Sequence, residues 1–522
     1  MFRSNQPLLT DILDLHGKWR ASDDAVICGE VKWTWKEFTS ATYRLANALI
    51  DLGIKPGDRV GLLMSNGLPM VQAIFGVVRC GATVVPLNTS VSDEAATSMF
   101  SDAQVAAVVV TEDLFDRGTK ISAGLDQPHF RIVDRQQLVP NSDQAWLSME
   151  SLCAGFDASA PNVEIPAESV INIIYSSGTT GMPKGIAHDH VGRRDWTYDI
   201  ALALRYHGRA RTLLTIGLYS NISWVAMLST FLVGGAVIVE KQFDAARCLN
   251  SIRHHRITHL AMVPIQFQRL IDELKNDPEA DVSSMQAMMS CGSPLREPLK
   301  RELFSYFSWG VIELYGLTEG IITTLEPEDA EGRWSSVGRP LIGTDIEIIG
   351  NDDQIVEQGE AGEIVSRGRI AMPGYWNRPE ADQEATWIDG QGKVWLRSGD
   401  IGYIDSDGYL YIVDRKKDMI LSGGQNIYPQ DLEAVIATHE GVFDVAVVGM
   451  SSVKWGETPV ALLVEQPNIC LDPTQVKDWA NDQLGKQQRL ADVILVDALP
   501  RNPNGKILKR ELREAYRGRE YA

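Results

Sequence analysis

Residues 175–185 read YSSGTTGMPKG, directly after the apolar, strand-like run VINII at 170–174. Two serines, two threonines and three glycines in these eleven residues supply a mobile backbone, many N–H donors and four hydroxyls, and Lys184 adds a cation. Those are the groups a polyphosphate needs. The stretch is not a P-loop: counting GxxxxGK[ST] from Gly178 puts Pro183 at the second glycine, and Gly185 rather than Ser or Thr follows Lys184. A P-loop kinase or GTPase is thereby disfavoured. A flexible Gly/Ser linker would not explain a Pro-Lys-Gly ending straight after a buried strand.

On either side of this loop, β-branched runs bounded by Gly, Pro or Asp alternate with longer helix-like segments: RVGLLMSN, LPMVQAIFGVVRCG, ATVVPLN and AAVVVTED before it, and AVIVE, THLAMVP and GVIELYG after it. That rhythm predicts an α/β fold with parallel strands and crossover helices. From about Val337 the texture changes to short strands and turns, DIEIIGNDDQIVEQGEAGEIVSRG and DIGYIDSDGYLYIVD, a β-rich subdomain closing the large domain. A charged run, DRKKD, precedes a compact pattern with a helix from about Pro429, the strands VAVVGM and VALLVE, a helix near Val476 and the strand VILVD. The expected organisation is a large domain of mixed parallel sheets over 1–413, a hinge at 414–419, and a small mobile α+β domain over 420–522.

Length agrees, since 522 residues exceed one ordinary core. With 44% hydrophobic and 23% charged residues the composition is that of a globular chain. A net charge of -20 argues against nonspecific attraction to nucleic acid or anionic lipid, so anionic ligands need local positive sites. The six cysteines lie far apart with no CxxC or zinc spacing, which reads as free thiols in a reducing compartment. MFRSNQPLLT has no signal-peptide pattern and REYA is no address, so a cytoplasmic location is expected. The stretch 222–239, ISWVAMLSTFLVGGAVIV, approaches spanning length but reads as a buried helix, a Gly turn and a strand.

Four further motifs accompany the loop: Tyr315-Gly-Leu-Thr-Glu319, Leu396-Arg-Ser-Gly-Asp400, Asp414-Arg-Lys-Lys-Asp418, and PRNPNGK at 500–506. With YSSGTTGMPKG they stand in the order found in the adenylate-forming (ANL, AMP-binding) superfamily, and nearly the whole chain resembles its acyl-CoA synthetase branch. Any one motif is weak; all five in order are hard to obtain by chance.

The resemblance implies ATP, Mg2+ and CoA as reaction partners. Ser176, Ser177, Gly178, Thr179, Thr180 and Lys184 would gather the β/γ-phosphates, Tyr315 and Gly316 belong to the nucleotide site, Thr318 would donate near the α-phosphate, and Glu319 would hold Mg2+. Attack of one anion on another requires this charge neutralisation. Asp400 would accept both ribose hydroxyls from a tight Ser-Gly turn, joined by Arg415, and Lys506 would reach the α-phosphate and the attacking carboxylate. The hinge pivot would be Lys417. Gly423 and Gly424 would line the pantetheine path, with Trp455 packed near CoA.

For the acid, the resemblance points to Tyr219, Ser220, Trp224, Cys291 and Gly292. The chain departs from the family pattern twice: Ser220 stands where many ligases have His, and Cys291 replaces a small Gly in the wall between nucleotide and acyl group. The uncharged stretch from Tyr219 to Met227 favours a medium-chain fatty, alicyclic or aryl acid. The implied activity is carboxylic acid:CoA ligation through an acyl-adenylate. Its rivals are a free-standing adenylation enzyme loading a carrier protein, a luciferase-like oxygenase and a non-catalytic nucleotide binder. The first would want an Asp between Tyr219 and Trp224, where there is none. A homodimer is left open by the sequence.

Overall fold

The computed structural model describes residues 7–126, 130–135, 146–176, 183–423, 425–486, 488–501, 506–519 and 521. Its contacts gather into two compact units: Met1–Trp334 with Pro340–Thr344 and Arg367–Ala385, and Ser335–Arg339 with Asp345–Ser366 and Thr386–Ala522.

In the first unit the β-branched runs become central parallel strands, which suits residues buried on both faces. Arg59–Leu63 pairs in parallel with Thr83–Pro86 and with Val105–Val110, and Val170–Tyr175 joins beside Thr83–Pro86. Helix Leu68–Arg79 makes the crossover and is buried over almost its whole circumference, as its apolar sequence requires. A second parallel ladder runs through Ala236–Val239, Arg211–Leu214, His259–Met262, Ala287–Ser290 and Ile312–Gly316. Trp35, Phe38, Phe75 and Phe231 pack with ring centroids 5.2–5.7 Å apart, within the range that aromatic pairs prefer.

The near-spanning stretch divides as expected into helix Asn221–Leu232, a Gly234-Gly235 turn and strand Ala236–Val239. Among the described residues no helix is long and apolar enough to cross a membrane. All six cysteines carry free thiols.

In the second unit, strand Val394–Ile404 pairs antiparallel with Gly362–Gly368, Thr386–Ile388 and Leu410–Arg415. The C-terminal sheet is built on Val442–Ser452 against Gly456–Glu465, with Asp492–Leu495 added in parallel and helices Pro429–Ile436 and Pro473–Gln483 beside it. The large α/β domain of mixed sheets and the small C-terminal α+β domain are thus both present. Ser398-Gly399-Asp400 forms a bulged turn inside strand Val394–Ile404: Gly399 has φ +67°, Ser398 Oγ accepts the Asp400 N–H at 2.9 Å, and from Asp400 onward the strand pairs with Leu410–Arg415.

Candidate active site

In the first unit the phosphate-loop segment leaves strand Val170–Tyr175 and returns on strand Gly185–Asp189, which pairs antiparallel with it from Tyr175 opposite Gly185. Ser176 closes the base, its N–H donating to the Lys184 carbonyl at 3.0 Å. Ser177, Gly178, Thr179 and Thr180 lie outside the described residues. Tyr175 is anchored by its hydroxyl, which donates to Asp102 at 2.7 Å, and Asp102 also pairs with Arg378.

Tyr315 and Gly316 end strand Ile312–Gly316, which turns back through Leu317–Ile321 into strand Ile322–Leu325. Thr318 and Glu319 therefore sit in the hairpin loop. Gly320 has φ +121°, and a Cβ there would lie 2.5 Å from the Ala371 Cα, so this turn accepts only glycine. The Glu319 carbonyl accepts the Met372 N–H at 2.8 Å, and its carboxylate accepts the Tyr375 hydroxyl at 3.0 Å.

Tyr375 is a residue the motif reading missed. Its ring centroid is 5.0 Å from the Lys184 ammonium, so one side chain touches both the loop lysine and the Glu319 carboxylate. Burial first, then the Glu319 charge, push its phenol up, which keeps the hydroxyl a donor. Lys184 also approaches Glu384 at 3.9 Å, a surface pair. The only sequence hint was an aromatic within the loop-like MPGYWNRPE, too weak to single out. Also missed was His188, whose imidazole donates to the Thr318 carbonyl at 2.8 Å.

The apolar residues expected on the acyl side belong to the large apolar core of the first unit, which also holds Trp35, Phe38, Phe75 and Phe231. Ile222, Trp224, Met227 and Cys291 are buried together with Tyr219 packed against them. Ser220 caps helix Asn221–Leu232 by accepting the Ile222 N–H at 3.3 Å. Trp224 is 1% exposed and donates its indole N–H to the Leu218 carbonyl at 2.9 Å. Burial pushes the Cys291 thiol up to about 12, so it serves as a neutral wall residue; Gly292 beside it is exposed.

In the second unit, register places Asp400 opposite Arg415, with the guanidinium Nε 2.9 Å from the buried carboxylate. Lys417 and Lys506 bring two more cations to this pair. Burial, then the charge of Arg415, lower Lys506 to about 7, partly offset by Asp400. Burial of its ammonium end and the same guanidinium also hold Lys417 below the ordinary lysine range. A cavity of about 370 Å3 opens here, lined by Ser398, Gly399, Arg415, Lys416 and Lys417. A pocket walled by Arg415, Lys416 and Lys417, with the buried Asp400 carboxylate beside it, suits a phosphorylated sugar.

Gly423, at φ +56°, donates its N–H to the Trp455 carbonyl at 2.8 Å, and a Cβ there would lie 2.8 Å from the Trp455 ring. Trp455 is 47% exposed, with the Lys454 ammonium 4.6 Å from its ring centroid. Gly424 lies outside the described residues.

A carboxylate beside a loop that ends in a lysine, and a cationic pocket beside a buried aspartate, are the parts of a nucleotide-activating enzyme. Residues 16–376 match the AMP-binding enzyme family and residues 431–506 match the AMP-binding enzyme C-terminal domain. The chain belongs to the AMP-binding enzyme family.

The long-chain-fatty-acid–CoA ligase FadD13 of Mycobacterium tuberculosis is 34% identical to this AMP-binding enzyme, over 93% of this chain and 94% of that one. The feruloyl-CoA synthase of an Amycolatopsis species is 30% identical over 94% and 96%. Among solved structures, the o-succinylbenzoate CoA synthetase MenE of Bacillus subtilis, in complex with its acyl-adenylate intermediate, superposes with a TM-score of 0.85 at 26% identity and covers 100% of both chains. This AMP-binding enzyme is an acid–thiol ligase of the acyl-CoA synthetase type. It uses ATP with Mg2+ and CoA, and it proceeds through an acyl-adenylate.

The residues present fit the metal. Mg2+ is taken up by one or two carboxylates together with substrate phosphate oxygens rather than by an all-protein cage. Glu319, oriented by Tyr375, offers such a carboxylate, and among the described residues no cluster of three or more metal-binding side chains occurs.

Proposed function

We propose that this AMP-binding enzyme activates an apolar acid, of medium-chain fatty, alicyclic or aryl type, and transfers it to CoA. The observation that carries the reading is that the segment from Tyr219 to Met227 carries no charged side chain and runs into the first unit's large apolar core, which Cys291 shares, so a second carboxylate or an ammonium would find no charged partner on it. The buried cation that does approach this segment, Arg193, lies 5.5 Å from the Trp224 ring and is already committed to Asn172 and His188.

In the first half-reaction a carboxylate oxygen of the acid bonds to the α-phosphorus as the bond to pyrophosphate breaks. Lys184 and the loop donors hold the β- and γ-phosphates, Thr318 donates near the α-phosphate, and Glu319 is the metal ligand. The metal, when bound, neutralises phosphate charge. Asp400 and Arg415 hold the ribose, and Lys506 steadies the attacking carboxylate and the α-phosphate. In the second half-reaction the CoA sulfur, losing its proton, bonds to the acyl carbon and AMP leaves. Gly423 and Trp455 border the thiol's approach. The exchange follows rotation of a small domain over 420–522 about Lys417 in the 414–419 hinge, the large domain spanning 1–413. The setting is cytoplasmic.

The test is pyrophosphate release with alkyl, alicyclic, aryl, dicarboxylic and amino acids, with CoA or a holo carrier protein as acceptor. Best turnover with monocarboxylic apolar acids and transfer to CoA is expected. A dicarboxylate or amino acid optimum overturns the acid assignment, and transfer only to the carrier protein overturns the acceptor.

A further inference from the structure

The side chain of Arg193 is fully buried, yet among the described residues no carboxylate pairs with it and its Nη1 has no hydrogen-bond partner. A buried guanidinium without a counter-charge is costly, so its neighbours show what holds it. Its Nε donates to Asn172 Oδ1 at 2.9 Å, its Nη2 to His188 Nδ1 at 3.1 Å, and its carbon centre lies 4.5 Å from the Trp196 ring centroid. The Asn172 amide nitrogen also faces His188 Nδ1, at 3.3 Å. Guanidinium and amide N–H groups can only donate, so Nδ1 must accept and the ring proton resides on Nε2. That proton points at the Thr318 carbonyl, 2.8 Å away.

The geometry points to Asn172, Arg193 and His188 as a positioning relay that sets the Thr318-Glu319 turn against the phosphate loop. The inference rests on the reading of Glu319 as the metal ligand. Asn172 and His188 are cross-strand partners on the two strands that carry the loop, Val170–Tyr175 and Gly185–Asp189. The bond to Thr318 fixes the peptide plane before the Glu319 Cα. The Met372 N–H bond to the Glu319 carbonyl fixes the plane after it, and the Tyr375 hydroxyl orients the carboxylate. Glu319 is thus held on several sides: Tyr375, itself paired with Ile186 of strand Gly185–Asp189, ties its carboxylate to the strands of the phosphate loop, and His188 ties the backbone before it. Outer partners of metal ligands act in this manner, setting the ligand's direction without touching the metal. None of the three touches the reacting atoms.

The test uses the full-length enzyme and Mg2+ titrations of acid-dependent ATP–pyrophosphate exchange. His188→Leu should raise the Mg2+ concentration for half-maximal exchange and the KM for ATP by roughly 10- to 100-fold. His188→Gln, whose amide nitrogen reaches the Nε2 position, should recover most of that loss. His188→Asn, whose amide reaches only the Nδ1 position, should not. Thioester formation from presynthesised acyl-AMP, which needs no metal-bound triphosphate, should fall far less than exchange does. Wild-type Mg2+ dependence in folded His188→Leu overturns the relay, as does equal behaviour of the Gln and Asn variants. The Gln and Asn pair decides the matter even where the Leu variant does not fold. Glu319→Gln separates the two ideas: an unchanged Mg2+ requirement there overturns the metal-ligand reading itself, whereas a changed one beside normal His188 variants overturns the relay alone.

Discussion

The carboxylate of Asp414 accepts the backbone N–H of Gln430 at 3.0 Å. Asp414 precedes the proposed pivot at Lys417 and Gln430 follows it, so this bond spans the pivot. Gln430 lies in the first turn of helix Pro429–Ile436, where N–H groups have no partner within the helix. The Lys509 ammonium, paired with Glu433 at 2.8 Å, adds positive charge near Asp414. Rotation about Lys417 has to release the Asp414 bond.

Burial raises Asp414 from its ordinary 3.8 to about 6, with Lys509 opposing, so the folded state holds a proton the unfolded chain gives up. The stability linked to this proton is full below the unfolded value and is lost as pH rises through about 6. A rise of this size corresponds to roughly 3 kcal/mol. Between acidic and neutral pH the wild type should therefore lose thermal stability relative to Asp414→Asn. A pH-independent Tm difference between the two proteins would contradict the shift.

Lys506→Ala should lower adenylation kcat by roughly 100-fold or more, as for one lost electrostatic stabiliser, while thioester formation from presynthesised acyl-AMP survives. Because Lys506 is lowered to about 7, it loses its charge as pH rises through that value in the free enzyme. The kcat/KM for adenylation should decline above about 7 in the wild type, and the decline should move to higher pH in Lys506→Arg. Equal loss of both half-reactions in a folded Ala variant would remove Lys506 from its assigned role.

Gly423→Ala places a methyl group 2.8 Å from the Trp455 ring at a backbone φ of +56°. The ring has to move. Thioester formation should fall and the KM for CoA rise, with pyrophosphate release from ATP and acid close to wild type. Selective loss of the adenylation step instead would place this pair away from the thiol.

Trp224→Ala removes a wholly buried indole and should cost roughly 3–5 kcal/mol of stability. If the space it leaves joins the acyl site, the ratio of kcat/KM values should shift towards longer acids by roughly 10-fold per one or two well-buried methylenes. The measurement is a chain-length and ring-size series on both proteins alongside thermal melts. An unchanged preference in a folded variant assigns Trp224 to the core alone.

Parallel strands were legible in the sequence because runs such as VAAVVV, buried on both faces, carry no polar alternation, and Gly, Pro and Asp mark their ends. The turn residues around Thr318-Glu319, the cationic DRKKD run and the strand leading into YSSGTTGMPKG were equally local signals, readable within about ten residues each. The contacts that give the site its shape are of another kind. Tyr375 meets Glu319 across 56 residues and His188 meets Thr318 across 130, separations at which no periodicity or propensity constrains a pairing. Ser398-Gly399-Asp400 reads as a turn by composition and is one locally, at Gly399, but only the hydrogen-bonded register sets Asp400 opposite Arg415. Trp224 reads equally as pocket wall or as core; only its packing in the large core of the first unit, with its indole N–H on the Leu218 carbonyl, buries it fully. Sequence alone determined which segments bend, which lie buried and which carry charge. Which of those charges and hydroxyls meet was decided by chain packing, since a hydrogen bond needs its partners within about 3 Å and only the assembled sheets bring distant segments that close.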